Sequence, residues 1–142
     1  MSSDCVHFDQ PGHHPRSVAV VDDDGAVRES LRFLLETAGF SVHTYMSAGQ
    51  FLGEAVERLP ACLIVDHHMP QVTGLELLAE LRLMEIRVPV VLMSGSLSPE
   101  LRSRAAELGA ALVLSKPLTG DDLLHFVSST DACSPARCQR GN

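Results

Sequence analysis

Tryptophan is absent from these 142 residues, tyrosine occurs once and phenylalanine five times. A core must therefore be built from Leu, Val and Ala. Lysine is equally scarce: Lys116 is the single lysine among eleven basic residues, and the other ten are arginine. Against 18 acids this leaves a formal net charge of −7. Such a balance argues against nucleic acid as a partner, because phosphate contacts need clustered Lys and Arg. No apolar run approaches the ~20 residues needed to span a bilayer, so no membrane partner is expected. Residues 1–16 carry His, Asp, Gln and Pro without the apolar stretch of a signal peptide, and the expected location is the cytoplasm. The four cysteines do not form a disulfide framework. Cys62 lies in an apolar run and reads as a buried thiol; Cys5, Cys133 and Cys138 lie in polar flanks where spacing assigns no role.

What is present is an alternation of strand-like and helix-like segments. Of four short apolar runs, Val18–Val21, Cys62–Val65, Val90–Met93 and Ala111–Leu114, the first three are continuous Val/Ile/Leu runs rather than alternating ones. Continuous Val/Ile/Leu runs mark strands covered on both faces, hence a parallel sheet between helices. Ser41–Tyr45 alternates, as a strand near a sheet edge does. Between the strands, Val27, Leu31, Leu34, Leu35 and Ala38 recur at helical spacing up to Gly39. Ser47–Val56 reads as a second helix, and Leu77, Leu78, Leu81 and Met84 form a third stripe after Gly74. Ser98-Pro99-Glu100 is a strong helix start, with a capping hydroxyl and a proline at the first helical position. A last helix opens at Thr119-Gly120-Asp121-Asp122. The expected organisation is a flexible arm over 1–16, one domain over 17–130 and a disordered tail over 131–142.

In such sheets ligands gather at the carboxyl ends of the strands. The first run stops at Asp22-Asp23-Asp24, the second at Asp66, the third at Ser94-Gly95 and the fourth at Ser115-Lys116-Pro117. Carboxylates about 5 Å apart repel by about 3 kcal/mol at an effective dielectric of roughly 20. One lysine cannot offset a cluster of three, whereas a divalent cation can, and an open all-oxygen site suits Mg²⁺. The plain alternative for Asp22–Asp24 is that they cap the first helix and face solvent. Asp66 is harder to dismiss, since an acid ending a buried strand must offset its desolvation with a cation, donors or chemistry. Carboxylates act as nucleophiles toward phosphorus; a lysine offers a point charge and a serine a hydroxyl donor to phosphoryl oxygens. The histidine pairs His67-His68 and His13-His14, with His7, lack the ligand spacings of known transition-metal sites. His68 is expected at the mouth of the site, where its side chain could alter water access.

Val-Val-Asp-Asp-Asp at 20–24, the segment from Asp66 through Met69-Pro70 to Gly74, Met-Ser-Gly at 93–95 and Lys116-Pro117 together resemble the receiver domain of bacterial two-component response regulators. The resemblance covers about residues 17–128, and the first helix is most similar to regulators of the FixJ type. It implies a flavodoxin-like (βα)5 fold with strand order 2-1-3-4-5 and phosphorylation at Asp66. It also implies Mg²⁺ held by Asp23, Asp66 and the backbone carbonyl of His68, with Asp22 acting through a bound water. Ser94 would be the switch hydroxyl, Lys116 the phosphate-pairing lysine and the bond to Pro117 cis. Partners would be a sensor histidine kinase or histidine phosphotransfer protein, then a downstream protein or a second copy at the fourth helix, fifth strand and fifth helix.

Three departures stand out. Val113 and Leu118 occupy positions where the family usually has aromatics, and Val113 places coupling to the outer surface in question. FixJ-type regulators also continue into a helix-turn-helix domain, for which the residues after the last helix are too few. The expectation is a stand-alone receiver that is no enzyme beyond its own phosphorylation and slow dephosphorylation. The alternatives are a receiver-like interaction module that is never phosphorylated, and an isolated receiver of a longer transcriptional regulator.

Overall fold

The computed structural model describes residues 17–127 apart from 56 and 117–119. The expectations for the arm, the tail, Cys5, Cys133, Cys138, His7, His13, His14 and the cis bond at Pro117 lie outside the described residues. Five strands, β1 (Ser17–Val21), β2 (Ser41–Tyr45), β3 (Cys62–Asp66), β4 (Val90–Ser94) and β5 (Leu112–Ser115), form one sheet. All pairings are parallel and the order is β2-β1-β3-β4-β5, as expected. Helices α1 (Gly25–Thr37), α2 (Ala48–Ala55), α3 (Gly74–Leu83) and α4 (Pro99–Glu107) connect them, and residues 120–127 form α5.

The continuous aliphatic runs are buried along their whole length in β1, β3 and β4, and alternate residues serve opposite faces. Ala19, Val21, Leu63, Val65, Val90 and Leu92 pack under α2, α3 and α4, against Phe51, Leu77, Leu78, Leu81 and Leu101. Val18, Val20, Cys62, Ile64, Val91 and Met93 pack under α1 and α5, against Leu31, Leu35, Leu123 and Val127. Each fully buried leucine contributes about 2 kcal/mol of transfer free energy. The alternating β2 is an edge strand with exposed Ser41 and His43. Burial pushes the Cys62 thiol up to about 12, which makes it an inert core residue.

Local signals set the helix ends. Asp24 caps α1 by accepting from the N–H groups of Ala26 and Val27. Thr73 and Glu76 form a reciprocal capping box on α3, and Ser98 caps α4 through the Leu101 N–H, with Pro99 at the first position. Gly39 and Gly109, at φ +100° and +84°, reverse the chain after α1 and α4. β5 begins one residue later than expected, although the Ala111 N–H still reaches the Val90 carbonyl at 2.9 Å.

Candidate functional site

Strand register aligns the reactive groups. Val65 pairs with both Val21 and Leu92, so Asp22, one residue beyond β1, and Asp66, the last residue of β3, emerge side by side. Ser94 pairs with Ser115, and the Lys116 N–H donates to the Ser94 carbonyl at 2.8 Å. All four strand ends therefore deliver their groups to one edge.

The acidic triplet divides into three roles. Asp24 is the helix cap. Asp23 is exposed. Asp22 is fully buried, which rules out for it the plain reading of a solvent-facing cap. Its Oδ1 accepts from the Asp24 N–H at 3.0 Å and its Oδ2 from the Lys116 ammonium at 3.3 Å. The Arg28 guanidinium donates to its backbone carbonyl at 2.7 Å. Burial pushes the Asp22 carboxyl above its ordinary value and the Asp66 charge adds to this, outweighing the Asp24 N–H and Lys116. Burial alone would pull the Lys116 ammonium down, but Asp22 and Asp66 together hold it above its ordinary value.

Asp66 is 3% exposed. Lys116 Nζ lies 3.3 Å from its Oδ1 as from Asp22 Oδ2, yet only the contact to Asp22 has hydrogen-bond geometry. Asp66 Oδ1 is thus a buried carboxylate oxygen with a cation beside it and no hydrogen bond. Oxygens of Asp22, Asp23 and Asp66 all lie within 4.8 Å of one another. This hard-oxygen set, with one orphaned oxygen, fits a divalent cation such as Mg²⁺. Among the described residues no histidine joins the cluster.

Ser94 is completely buried. Its hydroxyl donates to the Ser96 carbonyl at 2.9 Å and accepts from the Ser96 N–H at 3.1 Å, and His68 Nε2 stands 2.9 Å away. Sequence placed His68 at the mouth of the site but could not show that its ring reaches β4, since side-chain direction in a loop has no periodicity. His67 packs edge-on against His68, with ring centroids 5.0 Å apart. Gly74 has a steric reason that spacing does not reveal. A Cβ there would lie 2.6 Å from Leu92 Cδ1, 2.8 Å from the Asp66 carbonyl and 2.9 Å from His67 Cα. The start of α3 can only sit this close to Asp66 without a side chain. Val113 is half-buried against the cluster containing Leu101 and Ala105 of α4.

Residues 18–128 match the response regulator receiver domain. The chain is 45% identical over 100 residues to the transcriptional regulatory protein FixJ of Azorhizobium caulinodans, covering 70% of this chain and 47% of that protein. It is 30% identical over 125 residues to the response regulator protein TodT of Pseudomonas putida, covering 88% and 54%. Its fold is similar to that of the chemotaxis protein CheY4 of Vibrio cholerae, with a TM-score of 0.75, 27% identity and coverage of 80% and 97%. The chain spans about half the length of the curated relatives it matches. Sheet order, the acid–lysine site and the match over residues 18–128 agree: this chain belongs to the response regulator receiver domain family.

Proposed function

We propose that Asp66 accepts a phosphoryl group from the phosphohistidine of a sensor histidine kinase or histidine phosphotransfer protein. The observation that carries this is the buried Asp66 Oδ1, held beside Lys116 without a hydrogen bond of its own. That oxygen attacks phosphorus and forms a P–O bond. The P–N bond to the donor imidazole breaks, its electron pair stays on the imidazole nitrogen, and solvent supplies the proton. Lys116 steadies the charge on the phosphoryl oxygens, and the Ser94 hydroxyl turns to donate to one of them. Asp23, Asp66 and the carbonyl of His68, with Asp22 behind them, would hold Mg²⁺. When bound it would neutralise charge shared by the carboxylate and phosphoryl oxygens. Water later returns the acyl phosphate to carboxylate and phosphate, so the chain acts on itself and not on other molecules.

The folded receiver is read as residues 17–130. Drawing Ser94 and Lys116 toward the phosphoryl group would alter the surface of α4, β5 and α5, where a downstream protein or a second copy binds. No described helix is long and apolar enough to cross a membrane, and the net charge of −7 leaves nucleic acid outside this domain's own partners. Cytoplasmic signalling is the setting this supports. A second reading, a receiver that regulates a longer transcription factor, is favoured by the named relatives, which are about twice as long.

Intact mass after incubation with acetyl phosphate tests the reading. A phosphoryl-sized increase that requires Mg²⁺ and disappears in Asp66→Asn is expected. No increase in the wild type would leave a non-phosphorylated interaction module, and persistence in Asp66→Asn would move the acceptor elsewhere.

A further inference from the structure

A serine hydroxyl has one proton to donate and two lone pairs to accept with. At Ser94 the proton is committed to the Ser96 carbonyl at 2.9 Å, and one lone pair to the Ser96 N–H at 3.1 Å. The remaining lone pair faces His68 Nε2 at 2.9 Å. With the hydroxyl proton given to the Ser96 carbonyl, the tautomer that carries hydrogen on Nε2 lets His68 donate to this lone pair. The valence of the hydroxyl is then complete, at a side chain with no exposure to solvent. His68, itself exposed, lies two residues beyond Asp66, so its ring bridges the β3 and β4 ends across the mouth of the acidic site.

We infer that the His68 imidazole is a positioning residue: a latch that holds the Ser94 hydroxyl turned toward Ser96 and away from the reacting oxygen of Asp66. To donate to a phosphoryl group, Ser94 must give up the Ser96 carbonyl and the His68 N–H together. The resting form is thereby stabilised by a contact that the backbone carbonyl of His68, its expected metal-facing group, does not make. Removing the ring's donor lowers the cost of turning the hydroxyl inward and speeds acceptance at Asp66 by about fivefold, the worth of one net hydrogen bond.

The rate part rests on Asp66 as acceptor; the latch itself does not. The experiment therefore has two readouts on the intact chain. The first is the resting amide resonance of Ser96. It should shift in His68→Ala and in His68→Leu, which keeps bulk without a donor, and stay near the wild-type position in His68→Gln, whose amide N–H has similar reach. The second is the rate of adduct formation from acetyl phosphate with saturating Mg²⁺. It should rise about fivefold in His68→Ala and His68→Leu, one hydrogen bond's worth, return toward wild type in His68→Gln, and not rise when the same changes are made in Ser94→Ala. If only His68→Ala is fast, ring bulk and not the hydrogen bond governs entry, and the latch is overturned. A rise that survives in Ser94→Ala overturns it equally. If the wild type forms no adduct, the proposed function fails while the Ser96 resonance still decides whether the latch exists.

Discussion

Asp22 is a fully buried carboxylate beside a second one. Its carboxyl is raised above the ordinary 3.8 because burial and Asp66 outweigh the Asp24 N–H and Lys116. The native state therefore takes up a proton at a higher pH than the unfolded chain. Linkage then requires that the destabilising charge be present at neutral pH and relieved as pH falls through the folded-state value. Without Mg²⁺, Asp22→Asn should melt above wild type at pH 7, and the gap should close as pH is lowered toward about 4, near the ordinary carboxylate value. A variant less stable than wild type at pH 7, or a gap independent of pH, would show that Lys116 already compensates the charge. Asp66 differs in kind: its buried Oδ1 accepts no hydrogen bond, and in the proposed function it is the attacking oxygen.

At the scale of elements, the placement of α3 against the end of β3 depends on one missing side chain. The space at Gly74 is closed by backbone on two sides, the Asp66 carbonyl and His67 Cα, neither of which can rotate away. Gly74→Ala should cost about 1–3 kcal/mol in denaturant unfolding, as overpacking does. It should also weaken Mg²⁺ binding, because the loop that carries the His68 carbonyl is pushed aside. Unchanged stability would mean that α3 slides without resistance. The second element-level expectation concerns β5 and α4. Val113 packs against the cluster that includes Leu101 and Ala105, and a short branched side chain has too little reach to swing between buried and exposed positions. The loop after Ser94 and the start of α4 would then carry the signal. Val113→Tyr should enlarge the change in self-association or partner affinity on adding beryllofluoride. An unaltered response would place the coupling elsewhere.

For the whole molecule, the site is a local conflict inside a consistent fold. Two aliphatic clusters, one on each sheet face, hold three carboxylates together against their repulsion. A cation that binds only this arrangement must stabilise the fold by mass action. Mg²⁺ should raise the melting temperature of the wild type by several degrees, as about 1–2 kcal/mol does in a domain of this size, and have a much smaller effect on Asp23→Asn. An equal shift in both would mean that Mg²⁺ acts away from the cluster.

Composition and spacing alone determined the parallel sheet, the helix starts at Ser98-Pro99 and Gly74, and the identity of the groups at the strand ends. These follow from burial periodicity and capping chemistry, which are written along the chain. The strand order came with the family resemblance, because no local pattern encodes which strands lie side by side. Tertiary structure alone decided that of three consecutive aspartates one is a cap, one is exposed and one is buried against Lys116, since that depends on how the chain leaves β1. It decided that Lys116 hydrogen-bonds Asp22 but meets Asp66 Oδ1 only as an ion pair, a matter of angles at equal distances of 3.3 Å. The reach of His68 to Ser94 belongs here too: the two are 26 residues apart in sequence, and only the neighbouring of β3 and β4 brings them within hydrogen-bond distance.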